Sequence, residues 1–124
     1  MSIEKKNANM TTRIQAIIMP GMGDRLSQLR NLLEQDPADA FCMYGIAMEH
    51  LREGRRDEAI AWFDQAIEVE PGQTYAYYHK ARCLGDAGRT QEAFATIDTG
   101  LAQARECGDS HAEEELLALA RDLS

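Results

Sequence analysis

The chain is predicted to be all-α, an α–α superhelix of about six helices paired as antiparallel hairpins, and three observations predict it. The segment Gly54–Pro71, GRRDEAIAWFDQAIEVEP, returns 34 residues later as Gly88–Arg105, GRTQEAFATIDTGLAQAR, with Gly, Arg, Glu-Ala and a downstream Asp at the same offsets. Apolar residues within each copy recur at three- and four-residue spacing, the period of one helix face. Proline is sparse, with only 3 in the chain, while Ala, Leu, Glu, Gln and Arg, all good helix formers, are plentiful. A fixed period of this length marks stacked supersecondary units that bury a shared core. The 124 residues correspond to a single domain. A chain of that size buries roughly two-thirds of its unfolded surface and needs no staples.

Residues 1–22 are polar and methionine-punctuated, with PGMG before the first helix. They are expected to be a flexible N-terminal tail, or an upstream extension of a chain that starts at Met10 or Met22. A single domain is expected over 23–124. Its first helix covers 24–36: shifting DRLSQLRNLLEQDP by 34 residues lays Leu26 on Ile60, Leu29 on Phe63, Leu33 on Ile67 and Pro37 on Pro71. That is a half-repeat, a second helix without its first.

The first full unit spans 40–73. Phe41, Tyr44, Ala47, Met48 and Leu51 form a helical stripe, and Gly54 ends that helix in the left-handed conformation. The second helix presents Ile60, Phe63, Ala66 and Ile67 on one face. Asp57 and Glu58 in its first turn complement the helix dipole, and Pro71 stops it. The second unit, 74–107, repeats this with a break at Gly88, a helix from about Gln91 and no closing proline, so that helix runs to about Glu106. A capping helix over 109–123 follows. Ser110 and Glu113 stand in capping-box spacing, and Ala112, Leu116, Leu119 and Leu123 form one stripe that covers the open apolar end of the array.

Small residues sit where two helices must approach. Ala47 faces Ala59, and Ala81 faces Ala93. Side chains of this size allow the short end of the 8–10 Å interaxial range, and Phe63 and Ile97 fill the space beside them.

Composition narrows the function. A net charge of −8 disfavours nucleic acid, whose binding rests on Lys and Arg, and docking on anionic lipid. Cys42, Cys83 and Cys107 are odd in number and far apart, which argues against a disulfide framework and for a reducing compartment. No apolar run is long enough for a membrane helix or a signal-peptide core, so a cytoplasmic location is expected. No phosphate loop, HExxH or GxSxG occurs. Cys107 and His111 are four apart across a Gly-Asp break, short of the four converging ligands of a zinc site. Neither a metal, a cofactor nor catalysis is expected. Cys42 and Cys83 read as small buried hydrophobes, and His50 as a packing residue.

The order of small residue, glycine break, Glu-Ala, large apolar, small residue and proline at a 34-residue period resembles the tetratricopeptide repeat. Arg105 replaces the second closing proline, and Lys80 stands where the first unit has Ile46, a site that is usually apolar. The chain also resembles short solitary bacterial proteins of this kind. The resemblance implies a non-catalytic interaction module or scaffold. It places the first helices of the units along a concave groove that binds a peptide or a partner's helix. Carried over by position, the groove holds Phe41, Tyr44, Met48 and Arg52 from one unit and Tyr75, Tyr78, His79, Arg82 and Asp86 from the next. Aromatics and Arg are the types enriched at binding hot spots. The Lys and Asn that clamp a terminal carboxylate in chaperone-type members are absent at these positions, so that clamp is not expected. An alternative is homo-oligomeric self-assembly, in which Ile14, Ile17, Ile18 and Met19 of one copy enter the groove of another. A lesser one is a small-molecule or enzymatic site using His79, Arg82 and Cys83, residues that form no recognised motif.

Overall fold

The computed structural model describes residues 25–124, and the N-terminal tail, with its apolar Ile14–Met19 stretch, lies outside them. Six helices run in order among the described residues: α1 (Arg25–Gln35), α2 (Ala40–Arg52), α3 (Arg56–Val69), α4 (Thr74–Asp86), α5 (Thr90–Cys107) and α6 (Ser110–Leu123). Each packs on the next, and α4 also packs on α6. The result is the expected all-α stack of antiparallel hairpins.

Three of the turns are one motif written three times. Gly54, Gly88 and Gly108 have φ of +79°, +80° and +71°, the left-handed region that costs glycine nothing. In each, the residue after the glycine donates its N–H back to the helix: Arg55 to His50 O, Arg89 to Leu84 O and Asp109 to Ala104 O, all at 2.8 Å. The glycine N–H reaches one residue later, to Leu51, Gly85 and Arg105. This pair of hydrogen bonds satisfies orphan carbonyls and turns the chain sharply. Gly54 and Gly88 each follow the first helix of a unit, whereas Gly108 follows a second helix, the 18-residue α5, and its place one period earlier is taken by Thr74.

The hairpins close through alanine. Ala47, Ala59, Ala81 and Ala93 are all fully buried, and Phe63 and Ile97 fill the adjoining space at 0% and 1% exposure. The α2 stripe is wider than its spacing suggests. Phe41 is 71% exposed, while Cys42, Met43 and Ile46 are buried. The cause is that α2 is sandwiched by α1 and α3, so helix sides flanking the stripe are covered too. On one of those sides a Cβ added to Gly45 would stand 3.1 Å from Leu29 Cδ2. Glu49, on the same side, is held by Arg25 at 3.9 Å and Arg52 at 3.6 Å.

The start of α6 corrects the capping-box expectation. The cap is Asp109, not Ser110: its Oδ1 accepts from Ala112 N at 3.0 Å, and its Oδ2 from Thr74 Oγ1 at 3.0 Å. Asp109 wins because it also ties the first turn of α4 to that of α6. Glu113 instead meets Arg105 Nε at 2.7 Å. Lys80, the polar residue at the Ile46 position, is half-buried and ends on Asp64 Oδ1 at 2.6 Å. Its stem occupies the apolar site and its ammonium reaches the edge.

His50 packs, as expected, where the second unit has Leu84. It is 4% exposed, and its Nδ1 accepts from Arg55 Nε at 2.9 Å, with Glu58 3.6 Å away. Burial, then the nearby Arg55, lower its pKa below the usual 6.5, with Arg30 adding and Glu58 opposing. The folded state thus binds fewer protons than the unfolded chain, so stability falls as pH drops below about 6.5. Urea midpoints are expected to decrease from pH 7.5 to 5.5, and less steeply in His50→Leu, which copies Leu84. Equal slopes in both proteins would show that His50 is not responsible.

Candidate functional site

The residues singled out above occupy equivalent places on α2 and α4, because the 34-residue period puts Phe41 with Tyr75, Tyr44 with Tyr78, Met48 with Arg82 and Arg52 with Asp86. Phe41 and Tyr75, in the first turns, are 71% and 42% exposed. Tyr44, Met48, Tyr78 and His79 are half-buried, and Arg52, Arg82 and Asp86 are exposed.

The half-buried rings make one cluster. The His79 imidazole lies with its centroid 5.8 Å from Tyr44, 5.2 Å from Tyr78 in an edge-on pair, and 6.1 Å from Phe63 in a stack tilted by only 13°. Tyr44 also meets Phe63 at 5.9 Å. Edge-on and offset geometries of this kind suit the aromatic quadrupole. Phe63 comes from α3 and underlies the cluster, so the core and the candidate site share a ring. Sequence reading placed Phe63 in the core alone. Its helix spacing was informative, but nothing in it shows which rings lie above.

Electrostatics follow from this half-burial. Burial raises the Tyr44 hydroxyl above its ordinary pKa, and nearby Tyr75 adds to the effect. Burial lowers His79 below its ordinary value, with Arg82 adding and Glu115 opposing. Both rings are therefore neutral near pH 7. Glu115 belongs to α6, which packs on α4, a neighbour that no repeat position suggests. Arg52 is drawn toward Glu49, and neither Arg52 nor Asp86 joins the ring cluster.

Among the described residues, no three His, Cys, Asp or Glu converge as a metal site would require. Cys42 and Cys83 are buried and Cys107 is exposed. Burial, and then Asp86, push the Cys83 thiol up, the opposite of an activated nucleophile. No described helix is long and apolar enough to cross a membrane.

Paired helices stacked in register, with an aromatic face on successive first helices, define an α-helical solenoid. The family model of the tetratricopeptide repeat matches residues 50–119, and the chain belongs to that family. It is 31% identical over 75 residues, 60% of its length, to superkiller protein 3 of Saccharomyces cerevisiae, of which it spans only 5%. A tetratricopeptide repeat domain protein from Salinibacter ruber superposes with a TM-score of 0.64 at 30% identity, covering 68% of this chain and 94% of that one. The TPR2B domain of yeast Sti1, solved as a complex with pHsp70, gives 0.75 at 22% identity over 79% of this chain and 78% of that one.

Proposed function

We propose that this chain is a non-catalytic protein-interaction module that holds a peptide or helical segment of a partner protein along Phe41, Tyr44, Met48, Arg52, Tyr75, Tyr78, His79, Arg82 and Asp86. One observation carries the reading. Phe41 and Tyr75 are large apolar side chains left in water at equivalent positions, one repeat apart and beside a half-buried ring cluster. Packing within the fold does not require that exposure, and aromatic area of this kind is what partners bury. The Sti1 domain, which shares the fold, was solved with a protein ligand. Along the two full units among the described residues the groove has room for a segment of several residues, so transient binding is expected.

The test is a pull-down from native cell extract with wild type beside Phe41→Ala/Tyr75→Ala and Tyr44→Ala/Tyr78→Ala/Arg82→Ala. A protein retained by wild type and lost by both variants is the expected result, with the double variant keeping its urea midpoint because both its residues are exposed. Identical retention by all three would move the working surface elsewhere.

A further inference from the structure

The groove between α3 and α5 has a place that the repeat fills in one unit and leaves open in the next. α4 presents Lys80 to it, two residues on from Tyr78 and so on another side of the helix from the ring cluster. Two adjoining hollows of about 270 and 260 Å³ share Lys80, Ala95 and Thr96. Ile67 and Tyr77 line the first, Ile60 and Leu84 the second. Both fall below the roughly 300–1,000 Å³ of a small-molecule pocket and suit a single side chain. At a distance of 34 residues earlier in the chain, Ile46 stands at the position of Lys80 and Trp62 at that of Thr96. Ile46 is fully buried, and Trp62 is partly buried against the core. An indole thus occupies the register position that Thr96, with its short side chain, leaves open.

We propose that the α3–α5 groove takes a tryptophan side chain of a partner protein, which supplies from outside the ring that Trp62 supplies from within one repeat earlier. Charge complementarity selects the occupant. Lys80 Nζ reaches Asp64 Oδ1 at 2.6 Å, and Arg89 holds Glu92 at 2.6 and 2.9 Å. These four charges close on one another, so a charged group meets no free counter-charge there. A neutral ring fits instead, its negative face against the half-buried Lys80 side chain. Hydrogen bonding narrows the choice further. Thr96 Oγ1 donates to Glu92 O at 2.9 Å, and Thr99 Oγ1 donates to Ala95 O at 3.2 Å. Both hydroxyl protons are spent within α5, and the oxygens that remain, with Asp64, are acceptors. The indole N–H is a donor with no acceptor of its own and matches that set, whereas a phenyl ring lacks the donor. This surface is separate from the residues of the reading above and does not rest on it.

N-acetyltryptophanamide is the probe, an indole on a neutral backbone, and N-acetylleucinamide is its aliphatic control. Each is titrated into the methyl-labelled full chain by NMR. The tryptophan compound is expected to shift the Thr96, Thr99, Ala95 and Ile67 methyl signals saturably in the millimolar range, and the leucine compound to shift them several-fold less. Thr96→Trp supplies the ring from α5 itself and should abolish the shift at Ile67, with a urea midpoint no lower than wild type. Ala95→Glu, at an exposed position, should keep its midpoint and weaken binding by about tenfold, which decides the matter even where Thr96→Trp fails to fold. No saturable shift, equal shifts with both compounds, undiminished binding by Ala95→Glu, or a folded Thr96→Trp that still binds would each overturn the site. Saturable shifts confined to the Tyr44 and Tyr78 rings would overturn it as well, and would place the indole in the groove proposed above instead.

Discussion

Phe63→Ala is expected to lower the unfolding free energy by about 3–5 kcal/mol, a large share of the roughly 5–15 kcal/mol a domain has. Phe63 is fully buried. It sits beside the alanine contact that closes the α2–α3 hairpin and belongs to the same core cluster as Ala47, Ala59, Ala76 and Ala81. Removing the ring leaves a void that these alanines are too short to fill, so the cost includes the cavity as well as lost burial. The functional consequence is separate. His79 stacks on Phe63 at 6.1 Å and Tyr44 leans on it at 5.9 Å. Both lose their support, so partner capture should weaken even where the variant is still folded. Phe63→Leu, which keeps most of the volume, should recover most of the stability and little of the stacking. Urea unfolding monitored by circular dichroism reads the first effect, and the pull-down reads the second. A Phe63→Ala protein as stable as wild type would show that the α2–α3 junction is not close-packed.

Gly100→Ala is expected to destabilise by about 1–3 kcal/mol, although alanine is the better helix former. Gly100 lies within α5. A Cβ there would stand 2.7 Å from Tyr77 Cβ and 3.1 Å from Leu116 Cδ1. Tyr77 cannot retreat. It is 3% exposed, its contact is at Cβ beside the α4 backbone, and its hydroxyl is tied to Pro71 O at 2.9 Å. The added methyl must therefore push α4 and α5 apart. Gly85→Ala is the control. Its Cβ would stand nearer still, 2.6 Å from Leu123 Cδ2. That atom is the far end of a flexible side chain, on the last residue of α6. Leu123 can turn aside, so Gly85→Ala should stay within about 0.5 kcal/mol of wild type, helped by helix propensity. Thermal melts of the two variants should differ clearly. Similar losses for both would mean that α6 holds Leu123 as rigidly as α4 holds Tyr77.

Much of the fold was legible because one period controls it. Ala47 and Ala59, repeated as Ala81 and Ala93, announced close hairpins, and all four are fully buried. Gly54 and Gly88 announced left-handed turns. The errors fall where a residue answers to a partner outside its own unit. Ser110 and Glu113 had the spacing of a capping box, but Asp109 caps α6 because Thr74, 35 residues earlier, supplies its second hydrogen bond. Helical spacing finds no place for Met43 in the core and sets Phe41 in the packing stripe, whereas Met43 is buried and Phe41 is 71% exposed, because the width of a buried face depends on how many helices surround it.

The candidate site divides in the same way. Which residues line equivalent positions of the two first helices follows from the 34-residue period, a local property of the chain, and so do the helices, their turns and the family. That His79 stands between Tyr44, Tyr78 and Phe63, that Arg52 is drawn to Glu49, and that Lys80 spans to Asp64 were decided by the tertiary structure alone. Periodicity specifies which face of a helix is apolar. Contacts across faces depend on the distances and rotations between stacked helices, which no position in the repeat records.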